Sequence, residues 1–389
     1  MSYQAPQSST NTKSGRKGRG LSIIVGVILL VVALWAVFGR SILPGDGEDI
    51  LSRSGSGETV VKGVIGSEKR DFFEDPDVVK RLSKLGYTVE FTTAGSREIA
   101  DDADLKNKDF ALPSSAPAAQ KIRDNLSGSS VNYPFFSPMA VATFQPIVEI
   151  LQREGVVEQA NGGYILNVDK YIDLARSNKR WRDLGSEFPS PRKVQISTTN
   201  IKSSNSAAMY LSILAWQFQQ REPEKADDVA WLTDQITPFF TGQGYTESSS
   251  AGPFADYLSQ GMGSAPMVMV YEAQFFGEQL KDKSRIKDDM VLVQLDPTVL
   301  AKHGLVGISD EGKNFGKLLE EDEELQKLAA RHGFRTTSGN YLDEVMEKRG
   351  LSAPPNLVNS VDPPNFDRLE KLIEGVIARY GKLPDGPLE

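Results

Sequence analysis

From residue 59 onward, short β-branched runs are each followed at once by a helix-patterned segment, and this alternation restricts the fold more than any other feature of the chain. TVVKGVIG (59–66) reads as a strand ending in Gly66. Asp75-Pro76 then opens a helix whose Val78, Val79, Leu82 and Leu85 fall at helical spacing before Gly86 stops it. YTVEFTTAG (87–95) predicts a second strand and SREIADDADL a second helix with Ser96 as its N-cap. KDFALPSS (108–115) predicts a third strand, and SAPAAQKIRDNL a helix with Pro117 in its first turn. Strand–helix alternation of this kind implies an α/β fold built on parallel-dominated sheets with helices on both faces.

The pattern continues. SPMAVATFQP (137–146) reads as an apolar strand closed by Pro146, RKVQISTTN (192–200) as a strand, and residues 202–220 as a long helix. Residues 253–276 read as helix, turn and strand, and MVLVQLDP (290–297) as the last clear strand. Residues 321–334 carry acids first and bases last, as a helix dipole prefers. A final helix spans 367–381.

Upstream lies a different kind of segment. LSIIVGVILLVVALWAVF (21–38) is uncharged, and as a helix it would run roughly 27 Å, close to the thickness of a bilayer core. Lys13, Arg16, Lys17 and Arg19 precede it with no acid among them. The positive-inside rule therefore predicts a cytoplasmic tail (1–20), a signal-anchor (21–39) and an exported remainder. The run is long for a signal-peptide core and ends in Trp35-Ala36-Val37-Phe38, a poor cleavage site, so a retained anchor is expected rather than a cleaved leader. Residues 40–58, rich in Gly, Ser and charge, read as a linker.

Composition closes several routes. The chain has 389 residues, no Cys, two His and a formal net charge of -8. Disulfides, thiolate metal sites and cysteine nucleophiles are excluded, and no cofactor or metal centre is expected. An acidic chain is poorly suited to nucleic acid.

The candidate chemistry lies at the strand-to-helix junctions. Gly66-Ser67, Gly95-Ser96, Ser114-Ser115 and Ser203-Ser204-Asn205-Ser206 all stand there. In an open parallel sheet these are the carboxyl ends of strands, where ligands bind. Unpaired helix N–H groups and hydroxyls could hold an anion there without Arg or Lys. Each serine also reads as an ordinary helix cap, worth about 1 kcal/mol in stability alone.

In their order, GVIGSEKRDFF, FTTAGSREIA, DFALPSSAPAA, SPMAVATFQPIVEIL, VQISTTNIKSSNSAAMYL and SAPMVMVYEAQFF resemble the type II periplasmic solute-binding proteins, most closely the molybdate/sulfate-like branch. The resemblance covers roughly residues 59–340. It implies two lobes, 59–142 plus 266–345 and 143–265, with a C-terminal extension at 346–389. It also implies crossings at 142–146 and 267–271, and a ligand held between the lobes. Carried onto this sequence, it assigns Gly66, Ser67, Ser96, Ser114, Ser115, Ser204, Asn205, Ser206 and Tyr271 to the ligand. An oxyanion is one candidate ligand, and an ABC permease or another surface protein is the implied partner. The anchor and the missing Cys depart from the usual lipoprotein or free periplasmic form.

Other residues have two readings each. Glu272 could meet a cationic group or brace the hinge, and Arg97 could pair with a ligand carboxylate or face solvent. Lys69 and Arg70 read as surface charges, Trp181, Trp216 and Trp231 as core of the second lobe, and Glu320–Glu324 as a solvated helix start. A surface scaffold that keeps the fold without a ligand is the alternative function. An enzyme is not expected, because Ser67 and Ser204 have no nearby histidine in sequence and no Gly-x-Ser-x-Gly elbow is present.

Overall fold

The computed structural model describes residues 58–160, 162–241, 250–353 and 359–380. The apolar run at 21–38 and the cytoplasmic tail lie outside them. Among the described residues no helix is long and apolar enough to cross a membrane.

β1 (Thr59–Ile65) lies between β2 (Tyr87–Thr93) and β3 (Phe110–Leu112), parallel to both. Parallel neighbours need a crossover, and the helices supply it. Asp75 caps the helix Pro76–Lys84 by accepting from the Asp77 N–H at 2.7 Å, and Pro76 needs no hydrogen bond in that first turn. Alternation along β1 sends Val61 and Ile65 into a cluster with Phe72, Phe110 and Phe315, and Val64 into one with Ile99, Ala119 and Ile122. This sheet is therefore covered on both faces.

Beyond β3 the expectation of parallel-dominated sheets fails. β4 (Ser130–Phe144) runs for 15 residues, beginning well before the expected start at 137. Its first part pairs antiparallel with β9 (Thr298–Gly307), and from Met139 it pairs antiparallel with β7 (Met267–Tyr271) and β8 (Met290–Asp296). β5 (Val157–Ala160), β6 (Gly163–Asn167), β10 (Arg335–Thr336) and β11 (Ser360–Val361) complete the strands among the described residues. The order is β2-β1-β3-β9-β4-β8-β6-β5, with β7 and β10 on β4 and β11 on β9. Of the strand pairs among the described residues, only β1–β2, β1–β3, β6–β8 and β9–β11 are parallel. The sheets are mixed because β4 is shared between them, and its partners β7, β8 and β9 all run back against it.

Two strands depart from the sequence reading. β9 follows Pro297, where no further strand was expected, and Val299, Ala301, His303 and Leu305 on it are buried. Residues 192–200 form no continuous strand. Ser197 alone bridges β7, its N–H donating to Met267 O at 2.9 Å and its carbonyl accepting from the Met269 N–H at 2.8 Å.

The larger core surrounds the helix Asn205–Arg221, buried continuously from Asn205 to Ala215. A helix apolar on all sides belongs in an interior. Trp181 is fully buried in this core and Trp231 packs on it. The C-terminal helix Phe366–Tyr380 lays Leu369, Leu372, Ile373 and Val376 on the same core, beside the helix Val229–Ile236. It also reaches the β1–β3 side: Glu370 pairs with Arg97, and Lys121 Nζ lies 3.9 Å from the centre of the Phe366 ring.

Candidate functional site

The carboxyl ends of β1, β2 and β3 open onto one place. Gly66, Ser67 and Glu68 follow β1, Thr93 to Ser96 and Glu98 close β2, and Ser114 follows β3. Opposite them stand Ser203, Ser204 and Asn205 at the start of the helix Asn205–Arg221, with Ser250 ahead of the helix Ala251–Gln260 and Tyr271 at the end of β7. Together they enclose a cavity of about 200 Å³. The strand ends of an open α/β sheet are where such a cavity is expected.

Of the nine residues assigned from the sequence, Gly66, Ser67, Ser96, Ser114, Ser204, Asn205 and Tyr271 line this cavity. Ser115 and Ser206 do not. The Ser115 hydroxyl caps the helix Ala116–Asn125, accepting from the Ala118 N–H at 3.4 Å. Ser206 is buried with its hydroxyl 2.9 Å from Thr199 Oγ1 and 3.1 Å from Ser204 Oγ.

Ser96 is not the cap of its helix. Gly95 holds that position, and its N–H donates to Glu98 Oε2 at 2.9 Å. Ser96 Oγ instead accepts the Ser114 N–H at 2.9 Å, joining the loop after β2 to the loop after β3. Asn205 spans the cavity: its Nδ2 donates to Ser114 O at 2.9 Å and to the Tyr271 hydroxyl at 3.0 Å. Burial, followed by the charge of Glu68, raises the Tyr271 hydroxyl far above the usual tyrosine range, so it stays protonated.

The sequence reading missed Glu68, Thr93, Ala94, Glu98 and Ser250 as lining residues, and placed Gly95 and Ser203 at the junctions without assigning them to the ligand. It also misplaced Lys69, which is fully buried rather than on the surface. The short helical turn Ser67–Lys69 after β1 swings residue 69 inward, and neither helix nor strand periodicity signals that turn. The Lys69 ammonium donates to Glu68 Oε1, to Ser114 Oγ at 2.7 Å and to His303 Nδ1 at 3.1 Å. Ser114 Oγ also donates to Glu68 Oε1.

Burial is the largest influence on Glu68 and would raise its carboxyl, but the charge of Lys69 and the hydrogen bonds from Lys69 and the Ser114 hydroxyl hold it below the ordinary carboxylate range. Burial, then the charge of Lys69, keeps the His303 imidazole well below its ordinary range. His303 is therefore neutral. It accepts the ammonium proton at Nδ1 and carries its own proton on Nε2, which has no partner among the described residues. Gly66 is what the cluster needs beside it. A Cβ there would lie 2.5 Å from Ser114 Oγ, 2.6 Å from Glu68 Oε1 and 2.7 Å from Lys69 Nζ.

Glu272 and Arg97, each open to a ligand role from sequence, do not line the cavity. Glu272 is fully buried and accepts from Arg335 Nε at 2.6 Å and Nη2 at 3.0 Å. Arg97 forks onto Glu370 and donates to the carbonyls of Ile201 and Lys202. Asp322, in the acidic run, caps the helix Glu323–Arg331 and pairs with Arg81. Among the described residues no group of three or more His, Asp or Glu side chains is placed to hold a metal ion.

No protein-family model matches the sequence, and no curated protein matches it. Solved structures do match. The sulfate-binding protein SubI from Mycobacterium tuberculosis H37Rv superposes with a TM-score of 0.52 at 14% identity, over 84% of this chain and 100% of that one. A periplasmic thiamin binding protein superposes with a TM-score of 0.56 at 10% identity, over 85% of this chain and 99% of that one. Identities this low establish likeness of fold alone: the chain has the mixed α/β two-lobe fold of the periplasmic solute-binding proteins.

Proposed function

We propose that the chain is an extracellular solute-binding protein, tethered by residues 21–39, that captures a small polar ligand between its lobes and hands it to an ABC-type permease or a sensing partner. The lobes are taken as 59–142 plus 266–345 and 143–265, with the C-terminal extension at 346–389. The observation that carries this reading is the cavity itself. Seven residues assigned from sequence position converge on it from β1, β2, β3, β7 and the start of one long helix. Hydroxyls and backbone N–H groups would do the holding, and hinge closure would trap the ligand. No reaction is required of the site. The scaffold alternative calls for a cleft packed with large side chains, whereas among the described residues lining this cavity Tyr271 is the only aromatic one.

The reading assigns binding to Ser67 and Ser96. The double substitution Ser67→Ala, Ser96→Ala should weaken ligand binding at least about tenfold, or 1.4 kcal/mol, in calorimetry while the protein stays folded. An unchanged affinity in a folded variant would remove these serines from the site. The sulfate and thiamin named for the two similar structures belong on the ligand panel, because those proteins share this fold.

A further inference from the structure

We infer that Glu68 sets the specificity of the cleft by acting as a resident anion, so that the site rejects tetrahedral oxyanions and takes a ligand presenting a cationic or hydrogen-bond-donating head. The inference rests on the capture reading above and narrows it.

Three observations support it. First, the donors of the Ser114 loop and Lys69 are already in use. Ser114 Oγ and the Lys69 ammonium both point at Glu68 Oε1, and the Ser114 N–H is held by Ser96 Oγ. Second, Glu68 is itself part of the cavity wall, with 11% of its side chain exposed. Its Oε1 takes the bonds from Lys69 and Ser114, while Oε2 has no hydrogen-bond donor among the described residues. Third, the balance of charge on the wall is acidic. Glu68 and Glu98 line the cavity, and among the described residues no Lys or Arg does. Lys69 stands behind Glu68 and is fully buried, with its ammonium committed to Glu68, Ser114 and His303. A dianion entering this space would meet carboxylates and lack a free counter-charge, and like charges brought together in a desolvated site cost several kcal/mol. An ammonium or a polarised N–H would instead find Oε2 as an acceptor.

Gly66 supports the same reading. Its missing side chain is what allows Ser114, Glu68 and Lys69 to meet above it, so the turn after β1 is shaped around this carboxylate.

The test uses the full chain, with sulfate and molybdate as probes and chloride at matched ionic strength as the control. Wild type should show no stabilisation by either oxyanion beyond the chloride control. Glu68→Ala removes the resident anion and leaves Lys69 without its counter-ion. Sulfate should then bind on the order of a hundredfold tighter than to wild type. Formate, which replaces the lost carboxylate, should restore thermal stability to the variant and not affect wild type. If Glu68→Ala fails to fold, Glu68→Gln keeps an acceptor for Ser114 and Lys69 without the charge, and should show the same gain at smaller size.

Sulfate or molybdate binding to wild type that Ser67→Ala, Ser96→Ala abolishes would overturn the inference and leave the capture reading standing. A folded Glu68 variant that gains no oxyanion binding would also overturn it. Oxyanion binding gained by the variant, with no ligand of any class binding wild type, would uphold the role of Glu68 and count against capture.

Discussion

Arg335→Ala should lower the unfolding free energy by about 3–5 kcal/mol, the usual effect of stranding one member of a buried ion pair. Glu272 is the first residue of the helix after β7 and is fully buried, and both of its carboxylate oxygens are bound by the Arg335 guanidinium. Arg335 sits on β10, which pairs with β4 at Phe136. The pair thus ties the chain leaving β7 to an edge of the sheet carrying β1–β3. Removing Arg335 leaves a carboxylate with no water and no partner fork. Domains of ordinary stability have only about 5–15 kcal/mol in reserve, so the denaturant midpoint should fall sharply. Replacing both residues by Met should recover most of the loss, because the penalty comes from the unpaired charge rather than from the missing attraction. A loss below about 1 kcal/mol in the single variant would mean that Glu272 reaches water, contrary to its burial.

The second large effect concerns closure of the cleft. The C-terminal helix Phe366–Tyr380 is fixed to one side of the molecule by Leu369, Leu372, Ile373 and Val376. Its Glu370 crosses to Arg97 on the helix Ser96–Asp101, which begins at the cavity wall. Arg97 in turn donates to the Ile201 and Lys202 carbonyls, just before the lining residues Ser203–Asn205. One guanidinium therefore joins both lips of the cleft to a helix outside it. Hydrogen bonds to charged groups contribute about 1.5–3 kcal/mol each. Arg97→Ala should shift the open-to-closed balance by at least about tenfold, and ligand affinity should fall with it. Amide exchange at residues 94–97 and 201–205 should accelerate together in the variant. Exchange unchanged at both lips would show that Arg97 and Glu370 do not hold the cleft closed.

How much of this was legible in the sequence differs element by element. β1, β2 and β3, with the helices after them, follow from local pattern. The serines of the site follow from standing at the ends of those strands. The start of β4 was hidden because Pro134 looks like a strand breaker, whereas a register shift between Asn132 and Phe135 absorbs it. β9 was hidden by Lys302-His303-Gly304, a polar stretch whose histidine turns inward to Lys69. That contact joins residues 234 positions apart, which no local periodicity encodes. The same distance explains why Lys69 read as a surface charge, and why Glu68 was passed over beside the more evident Ser67. Arg97 and Glu272 were noticed as charges near the site, but their partners Glu370 and Arg335 come from elements whose packing only the fold reveals.

Capture requires that the cavity between the strand ends and the start of the helix Asn205–Arg221 hold a small ligand. A thermal-shift panel on the full chain tests it most directly, with oxyanions, amino acids, amines including thiamin, sugars and nucleosides as members. A ligand present at 100 times its Kd adds about 2.7 kcal/mol, which raises the midpoint by several degrees or less in a protein of this size. Capture predicts such a shift with a member bearing a cationic or donor head, lost in Ser67→Ala, Ser96→Ala. No shift with any member would contradict capture and favour the scaffold.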